Sequence, residues 1–168
     1  VDESRKRSRL EPEYELLDTG TFDNDEYFDV FIEYAKSDEQ DILIKVTVEN
    51  RSKVAAPITV LPTIWYRNTW CWGYENYKYK PLLTGVGNSF IEVDHRVVGR
   101  FKLYAEEADE FLFCDNETNF ERLHQSPNLS HFTKDGINDY IVNKSKKSIN
   151  QNHIGTKAAV RYSTKIPP

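Results

Sequence analysis

The sequence contains no methionine and only two cysteines, Cys71 and Cys114, and none of its apolar runs approaches the ~20 residues needed to span a bilayer. The cysteines share no short metal-binding spacing and neither has a CxxC partner, so there is no ground for a zinc site or a dithiol redox centre. A buried thiol is the simplest reading of each, and a disulfide would require the two to face one another. Basic charge is also short: 22 Lys and Arg stand against 27 Asp and Glu, a net −5. A nucleic-acid binder usually carries a basic face. The clusters here, Arg5-Lys6-Arg7 with Arg9 and Lys144 with Lys146-Lys147, read as solvated surface, so no nucleic-acid partner is expected. No membrane partner is expected either, and with no signal peptide in view the expected compartment is the cytoplasm.

Catalytic signatures are equally scarce. There is no G-x-S-x-G, no P-loop and no G-x-G-x-x-G. His95, His124, His131 and His153 are scattered, with no pair at zinc-ligand spacing. Asp23-Asn24-Asp25-Glu26, with Asp29 nearby, lacks the spaced pattern of an EF-hand loop and reads as a solvated acidic turn. No metal and no cofactor is expected.

What is abundant is aromatic: ten Tyr, nine Phe and three Trp. This favours strands, and period-two alternation dominates. Along Asp41–Glu49, Ile42, Ile44, Val46 and Val48 point one way while Lys45, Thr47 and Glu49 point the other. Phe28, Val30, Ile32 and Tyr34 alternate in the same manner. Ile58–Trp65 carries bulk on both faces and is expected to lie between two layers, with Pro62 marking an edge or a bulge. Shorter strands are expected at Tyr14–Leu17, Phe90–Val93, Phe101–Tyr104, Glu110–Cys114, Tyr140–Val142 and Ala158–Ser163. Helix is expected only at Asn119–Gln125, with Asn119 as N-cap and Pro127 beyond its end. The expected fold is all-β, an antiparallel two-sheet sandwich with little helix, running from residue 10 to 168 behind a charged lead-in, residues 1–9.

Two groups of residues are candidates for chemistry. The first is the segment Trp65-Tyr66-Arg67-Asn68-Thr69-Trp70-Cys71-Trp72-Gly73-Tyr74. Flat aromatic faces suit the apolar faces of sugar rings, and the Arg67 and Asn68 side chains suit hydroxyls. The same residue types also dominate protein interfaces, and Trp65 is expected in the core. Arg67, Asn68, Trp70 and Trp72 are expected to lie together at one end of the sandwich, in a wide loop opened by Gly73 and Glu75-Asn76, with part of the tryptophan surface facing solvent. The second group is acidic: Asp115, Glu117, Asp135 and Asp139, with Glu121 nearby. Glycoside hydrolysis uses two carboxyl groups, but Asp and Asn beside Gly are more often turn formers.

Several blocks have a familiar look. They are Arg7–Gly20 (RSRLEPEYELLDTG), Tyr27–Lys36 (YFDVFIEYAK), Val60–Trp70 (VLPTIWYRNTW) with Trp72-Gly73, Asn116–Asn119 (NETN), Lys134–Tyr140 (KDGINDY) and Gly155–Ala159 (GTKAA). Together they resemble the N-terminal region of large microbial glucosidases that carry a mannosylglycerate-hydrolase-like glycosidase domain, similar to glycoside hydrolase family sixty-three. The resemblance implies an antiparallel β super-sandwich, of which this stretch is the middle or second half. It also implies a separate (α/α)6 barrel that carries the catalytic carboxylates and hydrolyses an α-glycosidic bond with inversion. No catalytic residue of that family maps onto a position here. The chain opens on Val1 and stops at Pro167-Pro168, and is read as a segment of a longer protein.

Three functions follow as expectations. The chain is a non-catalytic domain that packs on the barrel of its own parent chain and shapes the substrate entrance. Alternatively it is an independent carbohydrate-binding module, taking an oligosaccharide on Trp70 and Trp72, or a purely structural domain.

Overall fold

A computed structural model describes residues 2–75 and 78–168. Asn76, part of the argument for a wide loop, lies outside the described residues. The chain divides into two compact units, Val1–Ile58 with Thr164–Pro168, and Thr59–Ser163.

In the first unit a short helix, α1 (Asp2–Lys6), precedes an irregular segment, and strands β1 (Phe28–Asp38) and β2 (Asp41–Asn50) form an antiparallel ribbon. Its register pairs Val30 with Val48, Ile32 with Val46 and Tyr34 with Ile44 on one face. The opposite face pairs Asp29 with Glu49 and Glu33 with Lys45. Arg51 bridges Asp29 and Glu49, and Lys45 meets Glu33 at 3.5 Å. Expectation and structure part at Tyr14–Leu17, which is not a strand. Asp18 accepts the Glu15 N–H on its side chain and the Tyr14 hydroxyl on its carbonyl. Gly20, at φ 69°, closes a 3-10 turn over Leu17–Thr19. Local side-chain bonds thus turn the chain before a ladder can form.

The second unit is a sandwich with an added layer. Strand β3 (Ala56–Val60), β4 (Thr63–Trp65), β8 (Glu110–Cys114) and β10 (Lys157–Ile166) make one sheet, with β10 paired to each of the other three. Strands β7 (Gly99–Tyr104), β6 (Phe90–His95), β5 (Leu82–Val86) and β9 (Ile154–Gly155) make the other, in that order. Every registered pairing is antiparallel. Phe111, Phe113, Ala158 and Val160 point from the first sheet onto Leu83, Ile91 and Val93 of the second. Each of those large side chains, fully buried, stabilises the fold by about 1.5–3 kcal/mol.

The reverse face of β8 and β10 is buried as well. Leu112, Cys114 and Ala159 pack against Ile137 and Ile149, with Phe132, Tyr140 and Ile141 alongside. Helix α3 (Gly136–Asn143) supplies three of these, Ile137, Tyr140 and Ile141, from one face at i, i+3 and i+4. The strand expected at Tyr140–Val142 is therefore helix. Gly136 opens it because a Cβ there would meet the Ser148 carbonyl at 2.1 Å. The expected helix at Asn119–Gln125 is present as α2 (Phe120–His124), and the Asn119 side chain accepts the Arg122 N–H at 3.0 Å.

The run expected as one strand over Ile58–Trp65 is two, broken at Leu61-Pro62. Proline has no donor to give, but its carbonyl still accepts the Val160 N–H at 2.9 Å. Trp65, expected in the core, is 56% exposed, because Ile64 takes the inward position of this short strand. Strand β5 went unanticipated, since Leu82-Leu83-Thr84-Gly85-Val86 does not alternate cleanly.

Candidate functional site

The aromatic segment leaves β4 at Tyr66, whose carbonyl accepts the Asn116 side-chain N–H at 2.7 Å. The Tyr66 ring stacks on His95, centroids 4.3 Å apart. Burial pushes the Tyr66 phenol up to about 12. His95 holds its own turn, its Nδ1 accepting the N–H groups of Val97 and Val98 at 3.2 and 3.1 Å. Beyond Asn68 the chain makes a 3-10 turn over Trp70–Trp72, stopped by Gly73 at φ 79°. The Asn68 side-chain carbonyl accepts the Cys71 N–H at 3.2 Å.

The segment is held from below by one carboxylate. Glu117 is 2% exposed, and Trp70 Nε1 and Lys80 Nζ donate to its Oε1 at 2.6 and 2.9 Å. Asn68 Nδ2 donates to Oε2 at 3.1 Å and to the Asn116 carbonyl at 2.6 Å. Burial alone would raise the Glu117 pKa, but the bonds from Lys80, Trp70 and Asn68 outweigh it and hold the carboxyl below its ordinary range. Glu117 is therefore ionised at neutral pH with both oxygens occupied. A general acid needs the reverse, a raised pKa and access to substrate.

The expected quartet divides into two pairs. Asn68 and Trp70 meet on Glu117, while the Arg67 guanidinium lies over the Trp72 ring at 4.9 Å. Trp72 is 43% exposed, Trp70 half-buried. Cys71 is exposed, against the expectation of a buried thiol, and its Sγ donates to the Asn68 carbonyl at 3.3 Å. Cys114 is buried, and burial pushes its thiol up to about 12. Both cysteines are free.

The remaining acids do not converge on Glu117 through any bond. Asp115 accepts the Ser130 hydroxyl at 2.6 Å and the Thr156 N–H at 3.3 Å, joining the ends of β8 and β10. Asp135 accepts from Thr133 at 2.6 Å, Asn119 at 3.1 Å and Arg122 at 3.1 Å. Burial opposes these bonds, but together they hold Asp135 below the usual carboxylate range. Asp139 accepts from the Asn143 side chain at 3.1 Å. Each of the four acids thus has a bonding role within the fold. Among the described residues no group of three or more His, Cys, Asp or Glu is placed to hold a metal ion.

Lys80, Asn116 and Thr156 are not among the site residues expected from the sequence. The Thr156 hydroxyl accepts the Asn116 N–H at 2.7 Å and so fixes the loop that carries Glu117. The one available signal was the polar run Asn116-Glu117-Thr118-Asn119 directly after the apolar run of β8. Polar groups there must find partners, and nothing in the sequence says that the partners lie near residue 68.

Among known proteins, the chain is similar to Uncharacterized protein YMR196W of Saccharomyces cerevisiae, 31% identical over 203 aligned residues. The match takes in the whole of this chain and 19% of the yeast protein, so the chain spans about a fifth of that relative's length. No family model matches the chain, and no solved structure matches it. No helix among the described residues is long and apolar enough to cross a membrane.

Proposed function

We propose that this chain is a non-catalytic β-sandwich domain of a glucosidase-like glycoside hydrolase. It packs on an (α/α)6 barrel in the same parent protein and helps shape the substrate entrance. The observation that carries the reading is the state of its acids. Glycosidases set two carboxyl groups across an open cleft, one of them with a raised pKa. Here Glu117 and Asp135 are held low by donors within the fold, and Asp115 and Asp139 are bonded to neighbouring side chains. The fold uses its carboxylates as braces, and what they brace is a surface: Trp72 and Tyr74 on a turn fixed through Asn68 and Trp70. An exposed aromatic turn braced by hydrogen bonds suits docking, since less freedom is lost on binding.

The test is turnover of an aryl α-glucoside. The expected result is none from the 168-residue chain, and hydrolysis with inversion from the longer protein that contains it. Turnover by the 168-residue chain that vanished in Asp135→Asn or Asp115→Asn would overturn the reading.

One observation favours the carbohydrate-binding alternative: Trp72 carries Arg67 against its ring while part of its surface faces solvent. Trp70 is poorly placed as a platform, because its N–H is committed to Glu117. A glycan array probed with the 168-residue chain separates the two, and binding lost in Trp72→Ala favours the module.

A further inference from the structure

The two faces of the β1–β2 ribbon differ. One carries ion pairs, through Asp29, Glu49 and Arg51 and through Glu33 with Lys45, interrupted by Phe31 and Leu43, each about half exposed. The other carries the cross-strand pairs Val30 with Val48, Ile32 with Val46 and Tyr34 with Ile44, with Ile42 extending the row opposite Lys36 at its end. Val30, Ile32, Tyr34, Ile42 and Ile44 are all about half exposed or more, Tyr34 reaching 71%. A contiguous row of exposed apolar side chains on a sheet face marks an interaction site.

We infer that this face is the inner surface of a sheet packing whose second layer is supplied in cis, by sequence of the longer protein outside these 168 residues. The inference rests on the reading of the chain as a domain of a larger hydrolase. The occupant's chemistry follows from the ribbon: an extended or sheet surface of β-branched and aromatic side chains, with no charge aimed at the three central pairs.

Size decides between this occupant and a second copy of the chain. Seven paired positions at ~3.4 Å each, on two strands ~4.8 Å apart, give a footprint of roughly 250 Å². Two such faces together bury about 500 Å², far below the ~1,200 Å² at which stable interfaces between separate proteins begin. A patch so small is held well only where covalent linkage makes the contact intramolecular. The length is available: the yeast relative matches this chain over 19% of its own sequence, leaving about four-fifths beyond the match.

Carbene footprinting of unmodified protein, read by peptide mass spectrometry, tests this without substitutions. The 168-residue chain and the longer protein are labelled in parallel. Labelling at Val30, Ile32, Tyr34, Ile42 and Ile44 is expected to fall several-fold in the longer protein, while Glu33 and Lys45 change little. Equal labelling of the apolar face in both proteins overturns the inference, as does an apolar face already protected in a monomeric 168-residue chain. Protection together with a dimer by light scattering assigns the face to a second copy and also overturns it. A transcript that encodes no more than these residues removes the occupant. Aryl-glucoside turnover by the longer protein, measured on the same samples, reports separately on the hydrolase reading, so the two fail independently.

Discussion

Glu117 shows how one residue can hold a loop that lies far from it in sequence. Its carboxylate gathers Asn68, Trp70 and Lys80, so removing it orphans three donors at once. Glu117→Ala is expected to destabilise the chain by about 3 kcal/mol, the cost of leaving buried polar groups without their charged partner. Lys80 is half exposed and can turn to water, which keeps the figure from being larger. The effect has a pH signature. The folded state lowers the Glu117 pKa, so its contribution is present above the unfolded value of about 4.3 and fades as pH falls through the folded value. Urea unfolding of wild type and Glu117→Gln should differ most near neutrality and converge in acid. A gap that persisted unchanged at low pH would mean that the charge has no part in it. At Gly155 the limit is steric: an added Cβ would meet the Cys114 carbonyl at 2.3 Å. Gly155→Ala is expected to lower stability by about 1–3 kcal/mol, as overpacking does, read as a lower unfolding midpoint.

Among elements, legibility tracked length and regularity. Strands β1, β2 and β8 were readable because each holds either a long period-two row, broken only at Phe31 in β1 and Leu43 in β2, or an unbroken apolar run. Helix α3 was not, because in eight residues Tyr140-Ile141-Val142 looks like a strand. Only the contacts of Ile137, Tyr140 and Ile141 with one sheet face reveal the helical spacing. The aromatic segment announced itself by composition, but its brace did not, since Glu117 lies 47 residues from Trp70 and Lys80 has no distinguishing neighbours. The cap of α2 is a local feature and was visible. Asn119→Ala is expected to cost about 1 kcal/mol, seen as a small drop in thermal midpoint with far-UV circular dichroism otherwise unchanged. In native-state hydrogen exchange, β8 and the Ala158–Val160 stretch of β10, buried on both faces, should hold their amides longest and the β1–β2 ribbon should release its own first. Ribbon amides as slow as those of β10 would show that the ribbon is already covered in the isolated chain.

For the whole molecule, β10 is the strand on which the first sheet depends, because β3, β4 and β8 all pair with it. Deleting Lys157–Pro168 is expected to abolish folding of the Thr59–Ser163 unit, with loss of the sheet signal in circular dichroism and rapid digestion by a broad-specificity protease. A truncated chain that kept its β spectrum and resisted the protease would contradict this.

The position of β10 also has a consequence in time. A ribosome makes this strand after all the strands it joins, and Ala159 must find Thr63 across a gap of nearly a hundred residues. Until then Phe111–Cys114 has no sheet partner, and although Phe111 and Phe113 can meet Leu83, Ile91 and Val93, its Leu112 and Cys114 face lacks Ala159. Folding should accordingly be slow, limited by a late long-range closure in the millisecond-to-second range. The nascent chain is most vulnerable to aggregation in the interval between the emergence of β8 and that of β10.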